Sequence, residues 1–293
     1  MIDISRNQNL LTKFSISFKK LKSLIRNNFF PILVFVINLI IRPKKLNIGS
    51  GKRAWIGWNL LDEIDDLNIS YVRFSKQTEL KLDSDSQCLI YSSHFLEHID
   101  FETARQVLLE ARRVLNSNGY LVIKIPNYDS VLSSYFNGDH KFIENFSFCN
   151  LPKSWPYHMV ENNIESKVSM IFAGYYTQSY GDHFLRPDKL NLELGYHGPA
   201  KLSTIKVREI LKLNNPAAIC EKLVSVIRSD PEFYRFNHQQ AWSNRQFGNF
   251  LEGLGFKLIS ITPHLTDEFA NQIPDYYSMF EISSYFVLKR NEL

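Results

Sequence analysis

The chain has 293 residues, 44% of them hydrophobic, and a net charge of +4 at pH 7. This length suits one large α/β domain with an insertion, or two small domains, and the composition is that of an ordinary folded protein. The three cysteines, Cys88, Cys149 and Cys220, lie far apart without CxxC spacing. This spacing argues against a disulfide framework or a zinc knuckle and favours a reducing, cytoplasmic setting.

Most of the positive charge lies in the first 45 residues. Nine lysines and arginines and one acid, Asp3, give this segment a charge of +8 and leave −4 on the rest of the chain. The main body therefore has no nucleic-acid footprint, and we expect no nucleic-acid partner. The apolar run at 29–41 is shorter than the roughly 20 residues that span a bilayer, and no signal cleavage site follows it.

Two interpretations of this segment stay open. Residues 1–44 form either a helix that packs on the main domain, or an interfacial anchor in which 13–45 contact the inner membrane face. The anchor would place basic residues on anionic lipid and apolar residues below them. Short apolar runs are more often core, which favours the packed helix. Residues 45–293 form the main domain in either case.

Beyond Pro43, short apolar runs alternate with helical patterns. Strands are predicted at 45–49, 55–61, 69–74, 87–92, 120–125, 256–262 and 280–289, and helices with one buried face at 101–115 and 244–254. Residues 116–119 are expected to close the first helix, with Gly119 in a left-handed turn. Alternating strands and helices predict an α/β fold with a parallel sheet covered on both faces.

Residues 128–240 do not continue this alternation. Aromatic-rich loops are followed by two predicted helices, the second capped by Asn215 with Pro216 in its first turn. We interpret this stretch as an insertion that covers the carboxyl edge of the sheet.

The turn after the first strand, Asn47-Ile-Gly-Ser-Gly51, is the main binding motif. Gly49 and Gly51 let the backbone approach a ligand without a Cβ clash, and with Ala54 they match the dinucleotide fingerprint. However, residues 52–57 provide under two helical turns before the next strand. The first acid, Asp62, follows Gly49 by 13 positions and not by about 20. A pyrophosphate site is therefore disfavoured, and a plain strand–turn–strand remains the alternative.

Several motifs together resemble class I S-adenosylmethionine-dependent methyltransferases. They are KLNIGSG…GWNLLD, YSSHFLEHI, EARRVLNSNGYLVIKIPN and HQQAWSNRQFGNFLEGLGF with the final strand, and they cover 45–127 and 238–290. The resemblance implies a Rossmann-like seven-stranded sheet with its last strand antiparallel. It also implies S-adenosyl-L-methionine as the cofactor.

The resemblance assigns cofactor contacts position by position. Asn47 stands where the family often has an acid near the cofactor's amino group, and Gly49, Ser50 and Gly51 form the turn against its methionine part. Asp62 matches the acid that accepts hydrogen bonds from the ribose hydroxyls. The remaining positions are Asp83 near adenine, with Ser84 and Asp85 as competitors, and Ser92, Ser93 and His94 on the crevice floor.

Two rival functions remain. His94-Phe-Leu-Glu-His98 fits H-x-x-E-H, the motif of an inverted zinc protease, which would require a helix at that position. The runs before it predict a buried strand instead, so we expect no metal. The other rival is a catalytically inactive methyltransferase scaffold that acts as a binding protein.

For an active enzyme, the aromatic-rich insertion and the family resemblance favour O-methylation of a sugar or another small hydroxyl-bearing acceptor. Gly-Asp-His occurs twice in the insertion, at 138–140 and 181–183. A histidine beside a carboxylate is a suitable general base. His140 with Asp139 is the first candidate, because it is predicted to follow the fifth strand by a short loop. His183 and His238 are the others.

Overall fold

The computed structural model describes residues 30–51, 53–64, 69–146, 164–173, 204–227, 238–276 and 279–291. The helices are α1 (Phe30–Ile41), α2 (Phe101–Val114), α3 (Tyr128–Asn137), α4 (Lys141–Glu144), α5 (Ile164–Ala173), α6 (Thr204–Leu211), α7 (Pro216–Ile227), α8 (Asn244–Gly253) and α9 (Asp267–Ala270), with 3-10 turns at Leu96–His98 and Phe280–Ile282. The strands are β1 (Lys45–Ile48), β2 (Trp58–Asp62), β3 (Ser70–Tyr71), β4 (Gln87–Ser93), β5 (Leu115–Pro126), β6 (Phe256–Thr262) and β7 (Ser283–Arg290).

The strands form a seven-stranded sheet in the order β3-β2-β1-β4-β5-β7-β6. β1 with β2, β2 with β3 and β4 with β5 pair in parallel, whereas β7 runs antiparallel to both β5 and β6. The predicted α/β fold with seven strands and an antiparallel last strand is confirmed. The chain divides into two compact units, Met1–Arg73 and Phe74–Leu293.

In the first unit, α1 is attached to the start of β2 by one asparagine. Asn38 Nδ2 donates to the carbonyls of Trp55 and Trp58 at 3.0 and 3.1 Å, and its Oδ1 accepts the Gly57 N–H at 2.8 Å. Val34 is the buried side chain of this helix. Its exposed large apolar residues are Phe30, Ile32, Leu33, Val36, Leu39, Ile40 and Ile41.

The core of the second unit lies on β5 and β7, where strand residues are buried on both faces. α2 begins at Asp100, whose side chain accepts the Thr103 N–H, and the cap satisfies a helix-end donor that would otherwise be orphaned. α8 begins with a capping box in which Ser243 and Gln246 bond reciprocally.

The described part of the insertion is helical and has its own hydrophobic cluster. Side chains from α3, α5, α6 and α7 share it, including Tyr128, Phe172, Leu211 and Leu223. The predicted cap of α7 is present, because Asn215 Oδ1 accepts the Ala218 N–H at 3.1 Å. Helices α3 and α5 were not predicted. The aromatic-rich residues 147–163 and 174–203 lie outside the described residues.

The predicted left-handed turn at Gly119 is wrong. β5 begins at Leu115, directly after α2, and Gly119 lies inside this strand without a positive φ. A Cβ at Gly119 would lie 2.6 Å from Leu115 Cδ1 and 3.0 Å from the Cys88 carbonyl oxygen. Close packing, and not a special backbone conformation, therefore explains this glycine.

Candidate functional site

In the first unit, the turn after β1 folds back over the end of β2. Its two backbone amides at Gly49 and Ser50 both donate to the Leu61 carbonyl, at 2.9 and 3.1 Å. Gly49 and Gly51 have φ values of 70° and 58°, which are left-handed conformations that favour glycine. Residues 53–57, the described part of the following connection, contain no helix. The helix N-terminus that a pyrophosphate would need is thus not found there.

Asp62 at the end of β2 is tied to this turn. Its Oδ2 accepts the Gly51 N–H at 2.7 Å, and its Oδ1 accepts the Glu63 N–H at 2.7 Å. A carboxylate has about four lone-pair sites, so two remain for ligand donors. The side chain is half-buried and is fixed beside a turn that has no Cβ at two positions.

Asn47 presents an unsatisfied amide in the same unit. The residue is fully buried, and neither Nδ2 nor Oδ1 has a hydrogen-bond partner among the residues that the structure describes. A buried polar group without a partner costs about 1–3 kcal/mol, so a polar ligand group here would be stabilising. Ser50 is buried as well, and its hydroxyl donates to the Gly51 carbonyl at 3.3 Å.

In the second unit, β4 ends in a strained histidine. His94 has φ 48°, and its backbone N–H donates to the Lys124 carbonyl at 2.9 Å. Its ring joins two side chains: Nε2 lies 2.9 Å from Ser283 Oγ, and Nδ1 lies 3.2 Å from Glu97 Oε1. Ser92 is buried next to it, with no hydrogen-bond partner for its hydroxyl among the described residues.

Three side chains converge beyond His94. Glu97, His98 and His238 each place one nitrogen or oxygen atom within 4.8 Å of the others. Glu97 is fully buried, His238 is buried and His98 is half-buried. The His98 and His238 ring centroids are 4.7 Å apart, and His238 Nδ1 lies 2.8 Å from the Tyr128 hydroxyl. We refer to Glu97, His98 and His238 as the Glu–His–His cluster.

The protonation states of this region follow from burial and mutual charge. Burial alone would raise the pKa of Glu97, but the hydrogen bond and charge of His94, with the charges of His98 and His238, lower it to about 2. Burial, with the neighbouring His98, lowers the pKa of His238 to about 3. Burial also lowers the pKa of His94, against the effect of Glu97. Burial therefore favours the neutral forms of His94 and His238, whereas the contact with His94 and any positive charge on the three rings favour the ionised form of Glu97.

The zinc-protease alternative is not favoured. Its helix is missing, since only Leu96–His98 form a 3-10 turn and His94 has a left-handed backbone. His94 and His98 therefore do not share a helix face, and the His94 ring bonds to Glu97.

Asp83 is not brought together with Ser92 and His94. Asp83 is exposed and precedes β4. Ser92 lies near the other end of this strand, and His94 directly follows it. Seven residues at about 3.3 Å each separate the two ends by roughly 20 Å. Arg113 at the end of α2 holds the loop by donating to the Leu82 carbonyl and Ser84 Oγ.

The expectation that His140 follows β5 by a short loop is wrong. The ten-residue helix α3, about 15 Å long at 1.5 Å per residue, lies between β5 and this histidine. Asp139 is exposed and its carboxylate accepts the Lys141 N–H at 3.3 Å, while no hydrogen bond joins it to His140 within the described part. His183 lies outside the described residues.

Sequence reasoning missed a buried lysine. Lys124 on β5 is fully buried opposite Ser93 and Tyr285, with Nζ 3.4 Å from the Tyr276 carbonyl and 5.3 Å from the Tyr285 ring centroid. Burial, then the charge of Tyr276, raises the pKa of Tyr285. A lysine inside an apolar strand was the available signal, since buried lysines are rare without partners.

No family model matches the chain, and no curated protein does. Among solved structures, an S-adenosylmethionine-dependent methyltransferase from Mesorhizobium loti is 14% identical, with 84% of this chain and 90% of that chain covered and a TM-score of 0.37. The PH0226 protein from Pyrococcus horikoshii OT3 is 11% identical, with 92% and 91% covered and a TM-score of 0.38. LepI in complex with SAM is 8% identical, with 85% of this chain but 43% of LepI covered and a TM-score of 0.35.

The fold is therefore assigned from the order and direction of the strands in the sheet. The sheet has the seven strands and the antiparallel last strand that the sequence resemblance implies. The chain has the class I methyltransferase fold. A fold alone does not establish an activity, which depends on the residues of the site.

Proposed function

We propose that the chain transfers a methyl group from S-adenosyl-L-methionine to a small acceptor. One observation carries this proposal: the Gly49–Gly51 turn is bonded to Asp62 beside the unsatisfied amide of Asn47. The turn provides a close approach, the carboxylate provides acceptors for a diol, and the amide provides a donor and an acceptor. These groups match the methionine and ribose parts of this cofactor.

The residues of the first unit have separate roles in this proposal. Asp62 accepts hydrogen bonds from the ribose hydroxyls, and Gly49 and Gly51 let the backbone lie against the methionine part. Asn47 bonds the charged amino-acid end, which removes the cost of its buried amide. When bound, the cofactor supplies the electrophilic methyl group, and the protein's task is to orient the acceptor in line with it.

A hydroxyl of a sugar or another small molecule is the acceptor class that we propose. The support is the aromatic-rich sequence of the insertion, whose rings can stack on sugar faces. A hydroxyl must lose its proton on transfer, which calls for a base near the methyl group. The position of His140 beyond α3 argues against this residue as the base.

Cofactor binding can be tested by melting the protein with S-adenosylhomocysteine and, separately, with NADH. A ligand at 100 times its dissociation constant stabilises the native state by about 2.7 kcal/mol, which raises the melting temperature. We expect this rise with S-adenosylhomocysteine alone. A rise with NADH and none with S-adenosylhomocysteine would contradict the proposal. Binding without turnover on a panel of hydroxyl acceptors would favour the inactive-scaffold alternative.

We also propose that α1 contacts an anionic membrane surface from the cytoplasmic side. Seven large apolar side chains of this helix are exposed, and the sequence around it carries a charge of +8. Such a helix lies in the interface with its apolar side in the lipid. None of the helices in the described ranges has the length and apolarity needed to cross a bilayer. The basic residues at 13–29 lie outside those ranges.

A further inference from the structure

We propose that the Glu–His–His cluster of the second unit binds a divalent transition-metal ion of the Zn²⁺ class. Glu97, His98 and His238 supply one carboxylate oxygen and two imidazole nitrogens. This donor set is one that zinc uses in proteins with three protein ligands and an open fourth position. The inference is independent of methyl transfer, because none of these residues belongs to the proposed cofactor turn.

The distances are close to those of a loaded site. The three donor atoms lie within 4.8 Å of one another. Bonds of about 2.0–2.1 Å place tetrahedral ligands roughly 3.4 Å apart, so inward shifts of about 1 Å would close the site. Half-buried His98 is the side chain with the most room for this shift.

The backbone holds the two segments of the cluster together. The Gln239 N–H donates to the Glu97 carbonyl at 2.6 Å, and Gln240 Nε2 donates to the Leu96 and Ile99 carbonyls at 3.1 and 2.7 Å. These bonds join residues more than 140 positions apart in the chain. The position of His238 against Glu97 is therefore set before any ion binds.

Two further side chains orient the ligands. The Tyr128 hydroxyl bonds His238 Nδ1, which leaves Nε2 of that ring available to an ion. His94 Nδ1 lies 3.2 Å from Glu97 Oε1 and is fixed on its other side by Ser283. Metal-binding residues in proteins are held by such outer contacts.

Charge favours a cation at this position. Glu97 is fully buried, and no lysine or arginine pairs with it among the described residues. A divalent ion would place a full positive charge beside this buried carboxylate, which favours its binding. Two imidazoles select zinc and similar metals over Mg²⁺ and Ca²⁺, which prefer oxygen ligands.

This site differs from the H-x-x-E-H motif. In that motif both histidines ligate the metal, whereas here the His94 ring contacts Glu97 and Ser283, and the distant His238 would take the second ligand position. A site with three protein ligands would leave a fourth position for water or an oxygen of a substrate.

The test uses the full chain without an affinity tag, treated with EDTA and dialysed. We expect calorimetric titration with ZnCl₂ to give one bound ion per chain and CoCl₂ to give the visible absorption of a tetrahedral site. His98→Gln and His238→Asn should each weaken Zn²⁺ binding tenfold or more. Tyr128→Phe should weaken it by about 10-fold, the lower end for outer-contact losses.

His264→Gln is the matched control, because this exposed histidine lies outside the cluster. Circular dichroism checks that each variant is folded. If His238→Asn does not fold, His98→Gln still measures the effect of removing one ligand. The proposal is overturned if the wild-type chain binds no stoichiometric Zn²⁺, or if His98→Gln binds it as tightly as the control. S-adenosylhomocysteine binding, measured on the metal-free chain, separates this outcome from a failure of the methyltransferase proposal.

Discussion

The Asp62 carboxylate gives the sharpest test of the proposed cofactor site. We expect Asp62→Ala to weaken binding of S-adenosylhomocysteine, because the carboxylate contributes both ribose acceptors and the anchor of the turn. It accepts the Gly51 N–H and the Glu63 N–H at 2.7 Å each. Removing it therefore costs direct ligand bonds and loosens the glycine turn.

The magnitude follows from these bonds. A hydrogen bond to a charged group contributes about 1.5–3 kcal/mol, less where solvent competes. Since Asp62 is half-buried, a loss of about 1–3 kcal/mol is expected, which is roughly a 5- to 150-fold rise in Kd. Asp62→Asn is the milder change, because its amide oxygen can still accept the Gly51 N–H, whereas its NH₂ group can accept neither the Glu63 N–H nor a ribose hydroxyl.

Isothermal titration calorimetry with S-adenosylhomocysteine measures both variants, with melting curves as a check that they are folded. Glu63→Ala is the control, because this neighbouring acid is exposed and its side chain is not needed in the proposal. We expect the wild type and Glu63→Ala to have the lowest Kd. Asp62→Asn should have a higher Kd, and Asp62→Ala the highest. A folded Asp62→Ala protein with the wild-type Kd would refute the reasoning.

Three further predictions concern other parts of the chain. Gly119→Ala should lower the free energy of unfolding in urea by about 1–3 kcal/mol, because the added Cβ has no space. Gly253→Ala, in open space at the end of α8, should raise it by roughly 0.5 kcal/mol. Equal effects of the two substitutions would contradict this explanation. Anionic vesicles should carry the wild-type chain into the floating fraction but not the Ile40→Glu variant. Ile205→Glu, at an equally exposed position, is the control and should float like the wild type. Equal recovery of the wild type with neutral vesicles would argue against the anchor. His140→Ala should leave methyl transfer nearly unchanged once an acceptor is known, whereas a loss of about 10²–10⁴-fold would restore it as the general base.

Hydrophobic periodicity predicted the sheet well because buried strands and one-sided helices have distinct repeats. β6 was predicted at its observed bounds, and the antiparallel β7 was implied by the resemblance. The missed helices lie in the insertion, where α3 and α5 share a hydrophobic cluster with other helices. Gly119 was misjudged because a glycine placed for close packing has the same letter as one placed for a left-handed turn. Local sequence cannot separate these causes.

The two candidate sites differ in the same way. The proposed cofactor turn uses backbone atoms and one strand-end acid within 16 residues, so a local motif with the family resemblance was enough to suggest it. The Glu–His–His cluster joins residues 97–98 to His238 through a loop contact, and its outer contacts come from α3 and the end of β4. The H-x-x-E-H motif includes Glu97 and His98 of the cluster but not His238, and the His94 ring lies against Glu97. A metal ion bound there would therefore depend on the tertiary fold, and losing the 238–240 contacts should abolish Zn²⁺ binding even with the motif intact.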